Sequence, residues 1–92
     1  MKKSARGKHR WVGFKVDRAQ SRDELNELFS SNLALFSWRL FDILESHGNT
    51  IAILRVPLAE HRAVLAELNG IAGISTLTSS GKIRLVRKRL GN

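Results

Sequence analysis

The stretch Ser79-Ser-Gly-Lys-Ile-Arg-Leu-Val-Arg-Lys-Arg-Leu90 concentrates five basic side chains and no acid. Ser79, Ser80 and Gly81 suit a tight turn or a helix start whose free backbone N–H groups point outward. Lys82, Arg84, Arg87, Lys88 and Arg89 set positive charge around that turn. The chemistry this combination serves is the holding of a phosphate. A solvated basic tail would have the same composition, so the question is whether the charge is held in place.

A second cationic run opens the chain, with Lys2, Lys3, Arg6, Lys8 and Arg10 and again no acid. The two runs hold 10 of the 16 basic residues, and the 71 residues between them carry six basic residues against all eight acids. The formal net charge of +8 and pI near 11.2 are therefore a property of the two ends. Such a distribution points to an acidic partner, nucleic acid first and an anionic membrane second.

The remaining reactive side chains do not assemble into a catalytic pattern. His9, His47 and His61 lack metal-ligand spacing, and His61 falls on an apolar helical stripe where a packed or hydrogen-bonded histidine is expected. Asp23, Glu24 and Glu27 suit the first turns of a helix, and Asp42 and Glu45 flank a hairpin and are expected to face water. There is no cysteine, hence no disulfide, thiolate zinc site or cysteine nucleophile. Walker loop, dinucleotide fingerprint and nucleophile elbow are absent, as is the glycine-rich phosphate loop of an acylphosphatase. Intrinsic catalysis is not expected, nor is a cofactor or metal bound by the protein. No apolar run reaches the ~20 residues of a membrane span or follows the basic start as a signal peptide would, so a cytoplasmic protein without a membrane partner is expected.

The elements that must position the basic runs follow from periodicity. Residues 1–9 read as a flexible basic arm and 10–92 as a single domain. Val12, Phe14 and Val16 alternate with Trp11, Gly13 and Lys15, which predicts a strand over Arg10–Asp17. Ser21 to Glu24 matches a capping box, and Leu25, Leu28, Phe29, Asn32 or Leu33, and Phe36 follow at helical spacing, with Ser30-Ser31-Asn32 expected to break the helix and leave Leu33 to Phe36 as a second short helix or an irregular turn. Trp38–Leu44 and Thr50–Val56 read as a hairpin about His47-Gly48-Asn49. Both strands are apolar on both faces, with Trp38, Leu40 and Leu44 opposed to Phe41 and Ile43. Something must therefore cover the second face, either the C-terminal helix or a protein.

After Pro57, the stripe Leu58, His61, Val64, Leu65 and Leu68 predicts a helix ended by Asn69-Gly70, and Ile71–Thr78 predicts the last strand. Ile83, Val86 and Leu90 then share one helical face, which leaves Lys82, Arg84, Arg87 and Lys88 outside. A strand reading fails at Arg87 and Arg89. The order is that of an α+β, ferredoxin-like split βαβ fold, also that of the RNA-recognition motif, with an added C-terminal helix. The aromatic-glycine signature of the RNA-recognition motif is missing. Trp11, Trp38 and Phe41 could stack bases, but filling the two sheet faces accounts for them as well. Phosphate contacts are expected to dominate any nucleic-acid binding.

Three segments resemble the small protein subunit of archaeal and eukaryotic ribonuclease P, the protein component 2 family. They are Lys8-His-Arg-Trp-Val-Gly-Phe-Lys-Val16, Thr50-Ile-Ala-Ile-Leu-Arg-Val-Pro57 and Ser80-Gly81-Lys82-Ile83-Arg84, the last similar to the family's Ser-Gly-Thr-Ile-Arg. Lys82 stands where the family has threonine, so no role of that threonine carries over. The resemblance implies an accessory role in 5′ maturation of precursor tRNA: the partner RNA is the catalyst and requires Mg2+, and a barrel-like protein subunit is a second partner. The doubly apolar sheet and first helix offer a docking surface for that subunit or for a second copy in a homodimer.

Overall fold

In the computed structural model, residues 8–91 are described. Strand β1 (His9–Val16) takes in His9 from the expected arm and is followed by α1 (Arg22–Asn32), β2 (Arg39–Ser46) and β3 (Asn49–Pro57). One 3-10 turn (Leu58–Glu60) leads into α2 (His61–Asn69), β4 (Ile74–Ser80) and α3 (Ile83–Arg89). The sheet order is β2-β3-β1-β4, antiparallel throughout. This is the ferredoxin-like arrangement with an added C-terminal helix.

The capping box forms as the sequence predicts: the Ser21 N–H donates to Glu24 Oε1 at 2.8 Å and the Glu24 N–H to Ser21 Oγ at 3.2 Å. Ser30, Ser31 and Asn32 form the last turn of α1, which ends at Asn32, and Leu33 to Phe36 make the irregular turn expected after it. Leu25, Phe29 and Leu33 are fully buried at four-residue spacing, and the Leu33 N–H closes on the Phe29 carbonyl at 2.7 Å. Burial of that stripe outweighs the weak preference of serine and asparagine for non-helical backbone. The stripe packs on Val12, Phe14, Val16, Ala52, Leu54 and Val56 from the sheet and on Val64 and Leu68 of α2. Phe29 is the hinge of this core, edge-on to Phe14 at 5.5 Å and to Trp38 at 5.6 Å between ring centroids.

The β2–β3 turn places His47 and Gly48 at φ 53° and 82°, the left-handed pair a two-residue hairpin requires. Two other boundaries move. The 3-10 turn delays α2 to His61, which leaves Leu58 exposed beside the stripe. A turn through Gly73 (φ 87°) delays β4 to Ile74, while Ser79 and Ser80, expected in a turn, instead pair with Val12 and Trp11.

A bulge between Leu40 and Ile43 changes which side chains of β2 face which way. Strict alternation puts Leu44 with Leu40 and Ile43 with Phe41. Past the bulge, Ile43 pairs with Ala52 and packs on the main core, while Leu44 pairs with Ile51 and is 46% exposed. The extra residue lets both Phe41 and Asp42 serve the second face.

That face is covered in part by α3. Val86 is fully buried, and so is Ile53, which pairs with Gly13 and lies outside the main core cluster. Gly13 makes room for the helix: a Cβ there would stand 3.1 Å from both Leu90 methyl carbons and from Val86 Cγ1. Of the two covers the sequence leaves open, the C-terminal helix is the one seated over Gly13.

Candidate nucleic-acid interface

Antiparallel pairing of β1 with β4 sets Trp11 opposite Ser80. Lys8 and Arg10, just before Trp11, and the basic run after Ser80 therefore lie at one end of the sheet. Arg10 reaches from the first run into the second: a Cβ on Gly81 would lie 2.8 Å from its Nη1. Lys8 is exposed, and its carbonyl accepts the Leu58 N–H at 2.8 Å, which ties the start of β1 to the turn before α2. Lys2, Lys3 and Arg6 lie outside the described residues.

Helix α3 sorts its cations by face. Ile83 and Leu90 are half-buried and Val86 buried, as their spacing predicts. Arg84 and Lys88 are exposed four residues apart, hence neighbours on the outer face, and Lys82 is exposed at the helix entry. Ser80 uses its hydroxyl locally, accepting the Lys82 N–H at 3.3 Å, and Gly81 is exposed beside it. Arg87 and Arg89 are engaged within the chain. Arg87 forks onto Asp42 of β2, Nε to Oδ2 at 2.6 Å and Nη2 to Oδ1 at 3.0 Å. Arg89 Nη1 donates to Thr78 Oγ1 at 3.0 Å and to the Ser79 carbonyl at 3.1 Å. The helix is thus clamped on one flank to β2 and on the other to β4, and Asp42, expected to face water, is one of the clamps.

The hydrogen bond from Arg87 holds the Asp42 carboxyl below its ordinary value of 3.8, with the Arg87 and Arg22 charges adding to it and partial burial opposing. A carboxylate whose pKa is lowered by folding contributes stability above its ordinary pKa and loses it as the pH falls through the lowered value. Asp42→Asn is therefore expected to loosen α3 at neutral pH and to remove the acid-side loosening that the parent chain shows. Hydrogen exchange of the Val86 and Leu90 amides against pH reads this. Both side chains are substantially exposed, so the change is small, and exchange identical in parent and variant at neutral pH would show that the pair does not hold the helix.

Sequence reasoning named Trp11 and Phe41 as possible base stackers but passed over Arg39 and Arg55 beside them on the second sheet face. Trp11 and Phe41 meet edge-on with centroids 4.7 Å apart. The Arg55 guanidinium lies 5.8 Å from the Trp11 centroid and 5.5 Å from that of Phe41, and Arg39 lies 6.0 Å from Phe41. The available signal was the pair of arginines interrupting apolar strands on the parity of Trp11. Phe41 follows Arg39 at strand spacing, opposite the core residue Leu40, so alternation alone places it among them. Trp38, by contrast, packs against the main core.

The acids Asp23, Glu24 and Glu27 sit on α1, which packs on the opposite side of the sheet from α3. The fold thereby separates an acidic helical side from a basic side. His61 is half-buried with no hydrogen-bond partner for Nε2, and burial lowers its pKa, with the Arg10 and Arg62 charges adding to the effect. It is the expected core-edge histidine in position, without the hydrogen bond. Among the described residues no three metal-ligating side chains gather, and no helix is long and apolar enough to cross a membrane. Compared with family models, curated proteins and solved structures, the chain matches none.

Proposed function

We propose that the chain is an RNA-binding accessory subunit of ribonuclease P, acting in 5′ maturation of precursor tRNA without catalytic groups of its own. The observation that carries this reading is that Lys8 and Arg10 lie beside the C-terminal basic run at the Trp11–Ser80 end of the sheet, next to an α3 that is clamped rather than free. A folded catalytic RNA crowds phosphates that repel one another. A small rigid cationic face screens that repulsion and lowers the Mg2+ needed to hold the active fold. The segments that resemble the protein component 2 family fall on β1, β3 and the β4–α3 junction, the elements that build this end.

Arg84 and Lys88 are the side chains to test, because they are exposed and, among the described residues, make no hydrogen bond or ion pair. Their joint replacement by alanine is expected to leave the fold unchanged. The plot of log affinity for structured RNA against log salt should become shallower by about 0.7 to 0.9 for each lost phosphate contact. An unchanged slope would remove α3 from the interface.

A second reading, a protein-interaction or regulatory module with basic ends, is favoured by one feature of the acidic side. Leu35, in the turn after α1, is 93% exposed. Within the first reading the same side suits the barrel-like subunit or a second copy of this chain. A tight complex with a protein and no affinity for structured RNA would select the second reading.

A further inference from the structure

We infer that Trp11, Phe41, Arg39 and Arg55 form a platform for an unpaired nucleotide of RNA, its base against the aromatic and guanidinium faces and its phosphate between the arginines. The inference rests on the RNA-binding reading and deepens it by naming single-stranded RNA as what this face takes.

Holding Arg39 and Arg55 side by side carries a cost. Arg39 and Arg55 are directly opposed partners in the β2–β3 ladder, where like charges repel. Among the described residues neither has an acid or a hydrogen-bond acceptor. The nearby acid, Asp42, is taken by Arg87. The chain thus holds two uncompensated cations side by side over aromatic rings, an arrangement that a bridging phosphate would relieve. Lys15 shares the parity of Trp11 on β1 and adds to the same sign.

Shape agrees with charge. Trp11 and Phe41 are half-buried and meet at 75°, so they do not close on each other as a stacked pair. Stacking of bases on such rings tolerates any sequence, and arginine planes extend the surface. A duplex cannot use this site because its bases are already stacked. The outer face of α3 needs only phosphates, so the two surfaces separate by the form of RNA they prefer.

The reporter is built in, since Trp11 lies at the platform whereas Trp38 packs against the core on the other face. Titration with a short oligoadenylate should quench tryptophan emission, and a blunt RNA duplex of equal phosphate number should not. Phe41→Leu keeps apolar bulk and Arg55→Lys keeps charge, so both preserve the fold. Each is expected to weaken single-strand binding, by up to the value of one stacked base, about 5- to 150-fold, and to change duplex binding by less than about twofold. Absence of quenching, or equal loss for both RNA forms, overturns the platform. Failure of the ribonuclease P assignment has another signature: single-strand binding that depends on Phe41, with no effect of the protein on precursor-tRNA cleavage.

Discussion

Phe29→Ala is expected to lower the free energy of unfolding by about 3 to 5 kcal/mol. The ring is fully buried, edge-on to both Phe14 and Trp38, and with Leu25 and Leu33 it packs α1 onto the sheet. Removing it takes away the transfer energy of the ring and leaves a cavity bounded by β1 strand residues that cannot collapse without breaking the ladder. A domain of this size has only about 5 to 14 kcal/mol in total, so the variant should be folded in buffer but close to its limit. Urea unfolding followed by tryptophan emission measures it, with an unchanged slope expected. A loss below about 1 kcal/mol would mean that the site repacks freely.

Gly13→Val is expected to act on the other face. A Cβ at this position already stands 3.1 Å from Val86 Cγ1 and from both Leu90 methyl carbons, and valine adds two further carbons. Overpacking of this kind costs about 1 to 3 kcal/mol, and here the chain has a way to avoid it: α3 is the last element and can lift from the sheet. The expected outcome is loss of hydrogen-exchange protection at Val86 and Leu90 while β1, β3 and α1 keep theirs. Affinity for structured RNA should fall, because Arg84 and Lys88 are then no longer held in register. Adding Val86→Ala restores room and should restore part of both. Retained protection at Val86 in the single variant would show that the helix is not seated on Gly13.

These two substitutions separate two cores that differ in how legible they are in the sequence. The larger one is written in alternation at Val12, Phe14 and Val16, in the capping box, and in helical spacing at Leu25, Phe29, Val64 and Leu68, because each is a local pattern with a fixed period. The α3 stripe at Ile83, Val86 and Leu90 is legible for the same reason, and so is the concentration of charge at the two ends. What is not legible depends on contacts far apart in the chain. Asp42 and Arg87 are 45 positions apart, so nothing in the sequence marks one as a clamp for the other or separates Arg87 from Arg84 and Lys88. The β2 bulge inverts the parity of Ile43 and Leu44 and turns Asp42 toward Arg87, and single-residue insertions in a ladder leave no trace in composition. Ser79 and Ser80 read as turn residues by local preference, yet they complete β4 because β1 offers them partners.

The division of labour among the cations follows from the same contacts. Arg87 and Arg89 hold α3 in place, Arg84, Lys88 and Lys82 face outward, and Arg10 joins the first basic run to the second at Gly81. A passive basic tail would show no such sorting, since its charges would all be equally free.

The account is tested most directly by reconstitution. Ribonuclease P RNA is assayed for cleavage of precursor tRNA at a magnesium concentration too low for the RNA alone, with and without this chain and a barrel-like subunit. The account predicts that the chain restores cleavage at the natural 5′ site and that the Arg84→Ala, Lys88→Ala variant restores less. Cleavage that stays at the level of the RNA alone, with folded chain and partner both present, would contradict it.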